Sequence, residues 1–126
     1  MNHHVYNIQI RILIYQEEGE YAARALELDL IGFGKTERQA VEELKEAVEA
    51  QISFAHQMND ASMIQFPSDK SYFKRWEEAQ TKALRHEILE DKPLTLEAKA
   101  SVISFTDEEL KALRAKRFEP AQLVCA

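Results

Sequence analysis

A strict alternation of side chains near the N-terminus constrains this chain more than any other feature. Between residues 5 and 15, apolar side chains occupy every second position, at Tyr6, Ile8, Ile10, Ile12 and Ile14. A period of two places them on one face of a half-buried β-strand. Gly19 lies in the polar segment that follows and tolerates positive φ, which predicts a turn. A return strand is predicted over residues 21–28, with one common face formed by Ala22, Leu26 and Leu28.

Two glycines and a capping box follow this predicted hairpin. Gly32 and Gly34 alternate within a predicted third strand at residues 31–35, which indicates a bulge or close backbone packing. A phosphate-binding loop is the alternative interpretation, but neither a third glycine nor a Lys-Ser/Thr pair follows. We therefore favour the structural interpretation. Thr36 and Gln39 form a capping box, which predicts that a helix begins here.

The helix predicted over residues 36–58 is amphipathic. Its apolar stripe comprises Ala40, Val41, Leu44, Ala47, Val48, Ile52, Ala55 and Met58. At about 100° per residue, the opposite ridge carries Glu42, Glu46, Glu49 and Ser53. This ridge is either a solvated face or a docking surface for a cationic partner. The three glutamates are the candidate partner-binding residues.

A strand and a helix are predicted next. The apolar run at residues 63–66, bounded by Asp60 and Pro67, favours a fourth strand. A second helix is predicted over residues 69–89, with an inner face formed by Phe73, Trp76, Ala79, Ala83 and Ile88. Aromatic side chains around Tyr72 could form a platform for a ligand. At helical spacing they are more typical of core packing, which is the interpretation we favour.

The last two predicted elements are a strand over residues 100–105 and a helix over residues 106–116, capped by Thr106 and Glu109. Cationic side chains gather toward the end of this helix, at Lys111, Arg114, Lys116 and Arg117. They complement the helix dipole without any nucleic acid. DNA binding through residues 100–117 of an oligomer is the alternative function, and these four residues are its candidates.

The negative charge belongs to the first half of the chain. The 126 residues fit one domain, and their net charge is -6. Residues 1–68 carry 11 acidic and 5 basic side chains, whereas residues 69–126 carry 11 of each. An acidic surface repels phosphates, so nucleic acid is not an expected partner of this half. A basic protein fits it better, with the attraction acting mainly on the association rate.

The sequence contains no pattern typical of a catalytic, metal or cofactor site. Its four histidines are scattered, its one cysteine is Cys125, and no Gly-x-Ser-x-Gly elbow occurs. Glu27 and Asp29 are the only acids worth testing, because their spacing would place them on one face of a strand. We expect a non-enzymatic protein without a cofactor. No apolar run is long enough for a membrane span and no secretory signal occurs, so we expect a cytoplasmic location.

Residues 22–55 resemble the HicB-like antitoxin family. The resemblance rests on Ala25-Leu-Glu-Leu-Asp-Leu-Ile-Gly-Phe-Gly-Lys-Thr36, on Ala40, and on Leu44-Lys-Glu-Ala-Val48. With the preceding strand and the predicted fourth strand, it covers residues 5–66. It implies an α+β fold with a β-β-β-α-β unit, often described as a partial ribonuclease H fold. That unit would occupy residues 1–68, with residues 69–126 packed on it as an extension rather than as an independent domain.

The resemblance also implies a function. Such a domain would bind and inhibit a small basic mRNA-cleaving toxin, HicA, and would form dimers or higher oligomers. Members of the family typically carry a C-terminal DNA-binding module. Here residues 101–116 supply one strand and one helix, and the remainder is too short for a second proper helix, so a complete module is not expected.

Overall fold

One antiparallel sheet with helices on both faces organises the chain. The computed structural model describes residues 8–89 and 98–115. In chain order its elements are β1 (Ile8–Glu17), β2 (Glu20–Ala25), β3 (Leu30–Gly34), α1 (Glu37–Met58), a 3₁₀ helix (Ala61–Ile64), α2 (Lys70–Leu89), β4 (Ala98–Phe105) and α3 (Asp107–Ala115). The strand order is β3-β2-β1-β4, and every neighbouring pair is antiparallel. The predicted α+β class is confirmed.

Tight turns join the first three strands. Glu18 and Gly19 both have positive φ (51° and 83°), as a two-residue type I′ hairpin turn requires. The predicted return strand is too long, because β2 ends at Ala25 and residues 26–29 form a turn. As a result, Leu26 and Leu28 do not share a face: they enter cores on opposite sides of the sheet.

Helix α1 begins and ends where the sequence predicts. The Thr36 side chain accepts a hydrogen bond from the Gln39 backbone N–H (3.1 Å), and the Gln39 side chain accepts one from the Lys35 N–H (3.0 Å). These two bonds satisfy amide groups that have no partner within the helix. At the other end, Asn59 adopts a left-handed conformation (φ 51°) and closes the last turn.

The predicted fourth strand at residues 63–66 is wrong. The chain forms the 3₁₀ helix there, and its first turn is set by Asp60, whose side chain accepts from the Ser62 N–H (3.0 Å). The place beside β1 belongs instead to β4, which pairs with it from Ile8–Phe105 to Tyr15–Ala98. The sheet therefore takes its fourth strand from the second half of the chain.

Each face of the sheet has its own core. On one face, α1 and α3 pack against the sheet and form a core with it. Its buried members are Ile10, Ile12, Ile14, Ala23, Ala25, Leu28, Ala40, Leu44, Val48, Ile103, Phe105 and Leu113. On the other face, Trp76 of α2 packs with Leu13, Tyr15, Ala22 and Leu26 in a second core. The prediction that β1 is buried on one face is therefore incomplete. Both faces are covered, which gives a three-layer α/β/α arrangement.

Candidate interaction surfaces

Gly32 and Gly34 hold α1 against β3. A Cβ atom on Gly32 would overlap the Ala40 carbonyl oxygen and the Leu44 amide nitrogen, and one on Gly34 would lie 2.6 Å from the Gln39 Cβ. Contacts this short do not occur in folded proteins, so only glycine lets the helix and strand approach so closely. The predicted close packing is confirmed. Gly32, Gly34 and the Thr36 cap fix the position of α1 and of the glutamates it carries.

The acidic ridge of α1 is exposed to solvent at two of its four positions and partly exposed at a third. Glu42 and Glu46 are exposed and Glu49 is half-buried. The prediction that Ser53 is an exposed fourth member of this ridge is wrong. Its side chain is fully buried because α3 packs over it, and its Oγ donates to the Leu113 carbonyl oxygen (2.6 Å). The open ridge therefore consists of Glu42, Glu46 and Glu49.

Most of the charge on this ridge is uncompensated. Arg38 pairs with Glu42 at 3.1 Å, but the two side chains are 88% and 62% exposed, so solvent screens the pair. Within residues 8–89 and 98–115, Glu46 and Glu49 have no ion-pair partner. An exposed carboxylate without a partner attracts an approaching cation over about 8–10 Å at physiological salt.

Arginine side chains lie between the sheet and α2. The Arg11 guanidinium carbon is 4.6 Å from the centroid of the Phe73 ring, and its Nε donates to Glu27 at 2.7 Å. The Arg24 guanidinium carbon is 4.0 Å from the centroid of the Tyr72 ring, and one of its terminal nitrogens lies 2.7 Å from Asp29 Oδ1. A guanidinium group can stack on an aromatic ring while its N–H groups bind a carboxylate, and each of these two arginines makes both kinds of contact.

The acids at positions 27 and 29 are therefore structural. They do not share a strand face as predicted, because both lie in the turn after β2, where each holds a different arginine. Burial lowers the pKa of the Arg24 guanidinium, but interactions with Tyr15, Tyr72 and Asp29 raise it by more. The net pKa lies above the ordinary value for arginine, so this side chain stays charged.

Packed side chains fill the space between the sheet and α2. Trp76 is 9% exposed, and its indole N–H donates to the Ser101 carbonyl oxygen (3.0 Å). The Tyr72 ring stacks near the Tyr15 ring, with centroids 6.4 Å apart. The predicted core role of this aromatic cluster is confirmed. Among the described residues, Tyr72, Phe73 and Trp76 contact Tyr15, Arg11 and Ser101, so these rings do not form an open platform for a ligand.

The last turns of α2 differ from this packed region. Leu84, Ile88 and Leu89 are 60%, 68% and 73% exposed. The prediction that Ile88 lies on the inner face is wrong. Ile88 follows the buried Ala79 by nine residues, which at about 100° per residue is half a turn around the helix, so its side chain points away from the sheet. Helical periodicity alone could therefore have placed Ile88 on the outer face.

The candidate DNA-binding residues are only partly described. Lys111 is exposed on α3, and the backbone of Arg114 belongs to the same helix. Lys116 and Arg117 lie outside the described residues. The predicted Thr106–Glu109 capping box of α3 is confirmed, since the Glu109 N–H donates to the Thr106 hydroxyl (3.2 Å) and the Thr106 N–H donates to the Glu109 carboxylate (3.2 Å).

Comparison with known proteins gives no relative. No family model, no curated protein sequence and no solved structure matches the chain. Over residues 8–89 and 98–115, no group of three or more His, Cys, Asp or Glu side chains is placed to hold a metal ion. In the same ranges, no helix combines the length and apolar character needed to cross a bilayer.

Proposed function

We propose that this protein is an antitoxin-type binding module of the HicB-like kind, which captures a small basic protein on the acidic ridge of α1. The observation that carries the proposal is the ridge itself, formed by Glu42, Glu46 and Glu49 on the outer side of a helix whose inner side is fixed to the sheet. A rigid helix presents its charges at constant spacing, so little order is lost when a partner binds.

The resemblance supports the same function. The β-β-β-α order and the Gly-x-Gly-x-Thr turn that carry it lie in β1, β2, β3 and the start of α1. The acidic excess also lies within residues 1–68. A basic toxin would be attracted to this half over a long range, which raises the association rate more than the final affinity.

A charge-reversal experiment tests the proposal. The chain is immobilised, basic proteins are captured from a lysate of the native host, and the intact mass of each bound protein is measured. We expect a small basic protein to bind the wild type. The triple variant Glu42→Lys, Glu46→Lys, Glu49→Lys should bind that purified protein at least about a hundredfold more weakly, because like charges would then face each other.

A matched control separates the ridge from total charge. Glu17, Glu18 and Glu20 are exposed at the tip of the first hairpin, in the same acidic half of the chain. Changing these three to lysine alters the net charge by the same amount and should leave the affinity within a few-fold of the wild type. Equal losses in both triple variants, or unchanged binding in the ridge variant, would remove the ridge as the binding surface.

The alternative function, DNA binding through residues 100–117 of an oligomer, stays a prediction. Its direct test is a gel shift with the DNA upstream of the protein's own coding sequence, repeated at increasing salt. Binding that weakens steeply with salt would support it, because phosphate contacts release counterions. No retarded band at low salt would exclude it.

A further inference from the structure

Exposed apolar side chains gather at the C-terminal end of α2. Leu84, Ile88 and Leu89 lie within its last six residues, and each of them is at least 60% exposed. Within residues 8–89 and 98–115, Phe66 is the only other large apolar side chain with so high an exposure. Single exposed apolar side chains are common on proteins, whereas a contiguous group marks an interaction site. We refer to Leu84, Ile88 and Leu89 as the outer patch.

Most of the outer patch points away from the sheet beneath α2. Ala79 marks the sheet side of the helix, since it is only 5% exposed. At about 100° per residue, Leu84 lies about 140° and Ile88 about 180° around the helix axis from Ala79. Trp76 holds this orientation, because its indole N–H donates to the Ser101 carbonyl oxygen of β4. Leu84 and Ile88 can therefore leave water only by contact with something that approaches α2 from its outer side.

Two cations without a carboxylate partner flank the outer patch. Lys82 and Arg85 are exposed, and neither forms an ion pair with any residue that the structure describes. Arg85 follows Leu84 directly and precedes Ile88 by three residues, so its guanidinium group lies at the border of the patch. Cations in the last turns of a helix complement its dipole, but the dipole does not account for the apolar side chains beside them. A partner that satisfies both features offers an apolar contact with carboxylates next to it.

Helix α2 is positively charged although the chain is acidic. Residues 70–89 contain five Lys or Arg side chains and three Glu side chains, whereas the net charge of the chain is -6. The acidic ridge of α1 lies across the sheet, two layer spacings or roughly 20 Å away. Since the screening length at physiological salt is about 8 Å, a partner that approaches α2 meets mainly the local positive charge.

An open cavity lies beside the outer patch. Its volume is about 440 Å³, and it is lined by Lys74, Glu77, Glu78, Thr81, Lys82 and Arg85. Thr81 precedes Leu84 by three residues, so the cavity and the outer patch are neighbours on the helix surface. A cavity of this size can receive a side chain of a partner protein, which is how the anchor residues of protein interfaces are usually held.

We propose that the outer side of α2 docks into a groove of a second protein, which is apolar at its base and rimmed by carboxylates. Thr81, Leu84, Arg85 and Ile88 have the i, i+3, i+4, i+7 spacing with which helices bind in such grooves. Leu84 and Ile88 are the apolar anchors, and carboxylates of the rim pair with Lys82 and Arg85. The helix is already formed and held on the sheet, so little conformational order is lost on docking.

This docking surface does not depend on the antitoxin-type function. The basic partner proposed above binds the ridge of α1 in one outer layer of the molecule, and the acidic partner binds α2 in the other. Both surfaces are accessible at the same time, so one chain can join two proteins of opposite charge.

A protein fits this surface better than a membrane. Glu77 and Glu78 line the same cavity as Lys82 and Arg85. An anionic membrane would meet these glutamates as well as the cations, whereas a protein can place its carboxylates opposite the cations alone. The outer patch also contains no Trp or Tyr, the side chains that favour a membrane interface.

Photo-crosslinking in the native host tests the proposal on the full chain. Thr81 is replaced with the photoreactive amino acid p-benzoylphenylalanine, and the crosslinked product is identified by mass spectrometry. We expect an acidic protein, crosslinked through an apolar segment that has Asp or Glu residues next to it. The same photoreactive amino acid at Met58, which is 58% exposed at the end of α1, should not give this product.

Two double variants then separate apolar contact from charge. Leu84→Gln combined with Ile88→Gln should reduce the yield of the product at least about tenfold, and Lys82→Glu combined with Arg85→Glu should weaken binding of the purified partner by a similar factor. All four positions are exposed, so the variants are expected to fold, and their melting temperatures check this. The control Phe66→Gln removes another highly exposed apolar side chain and should leave the yield unchanged.

The outcomes distinguish this proposal from its alternatives and from the proposed function. A crosslink to lipid, to a second copy of the chain or to a basic protein would overturn the proposal. So would the absence of a product, or a product that survives both double variants. The triple lysine variant of the α1 ridge should still give the product, because the ridge lies in the other layer. Loss of the product in that variant would show that α2 is not a separate docking surface.

Discussion

The two faces of the sheet are buried by different chemistry. On the α1 face, aliphatic side chains and two glycines bring a helix into direct contact with the strand backbone. On the α2 face, the guanidinium groups of two arginines lie over aromatic rings and bind carboxylates in the turn after β2. The first arrangement tolerates no added volume. The second arrangement depends on hydrogen bonds and charge, and we expect it to tolerate a change in side-chain size better.

The largest expected effect is on the α1 face. Gly32→Ala would force a methyl group into the backbone of Ala40 and Leu44, which cannot move without displacing the helix. We expect the free energy of unfolding to fall by about 3 kcal/mol or more, measured by urea denaturation. Gly19→Ala is the control: its site has open space but a φ of 83°, so it should cost only about 1 kcal/mol. Equal costs would show that α1 can shift.

A smaller effect is expected when one polar atom is removed from the α2 face. Trp76→Phe keeps an aromatic ring but loses the 3.0 Å hydrogen bond to the Ser101 carbonyl oxygen. The free energy of unfolding should fall by about 2 kcal/mol, since the lost bond and the lost volume add. Tyr72→Phe loses only the 3.3 Å bond from Arg24 and should cost under about 1 kcal/mol. The reverse order would contradict the role of Trp76 as the link between α2 and β4.

The contribution of stacking can be separated from that of charge at Arg11. Arg11→Lys keeps the charge but loses the planar group that lies 4.6 Å from the centre of the Phe73 ring. We expect a loss of about 1 kcal/mol in thermal or urea unfolding, because the pair with Glu27 is already partly exposed to solvent. Arg38→Lys, in the exposed pair on α1, should change stability by no more than a few tenths of a kcal/mol.

The smallest effect should appear at the start of α2 and should depend on pH. The hydrogen bond from the Ser71 side chain, followed by that from its backbone N–H, lowers the pKa of Asp69 below its ordinary 3.8. A lowered pKa in the folded state favours folding above pH 3.8, and this contribution is lost as the pH falls through the folded pKa. The melting temperature of Asp69→Ala should therefore lie slightly below that of the wild type at pH 7, and the two should converge in acid. A constant difference down to pH 2 would contradict this assignment.

Local sequence signals predict the elements whose chemistry is local. The Thr36 and Thr106 capping boxes, the positive φ of Gly19 and the α1 stripe depend on residues within a few positions of one another. The close approach at Gly32 is also predictable, because glycine inside a strand usually marks a bulge or a place where another backbone comes near. These signals determine the start of α1 and therefore the place of its acidic ridge.

The errors arise where the outcome depends on distant parts of the chain. Residues 63–66 are apolar like a strand, but the sheet position beside β1 is taken by β4, more than thirty residues later. The alternation in β1 predicts an open face at Arg11, yet this side chain is covered by Phe73 and Trp76. Helical periodicity predicts Ser53 on an open ridge that α3 closes. For β1 and α1 the element type is predicted correctly, whereas residues 63–66 form a 3₁₀ helix instead of a strand, and in all three cases a partner far along the chain determines the outcome.

The pairing of β1 with β4 also determines when the protein can fold. Ile8 pairs with Phe105, so β1, an inner strand of the sheet, can complete its pairing only after β4 has been synthesised. Until then the nascent chain has β1, β2, β3 and α1 but lacks Ile103 and Phe105 from their common core. Such long-range pairing slows folding and leaves an open strand edge during synthesis. Completion of the sheet therefore depends on a strand that is synthesised about ninety residues after β1, although β1 itself is among the first parts of the fold to be made.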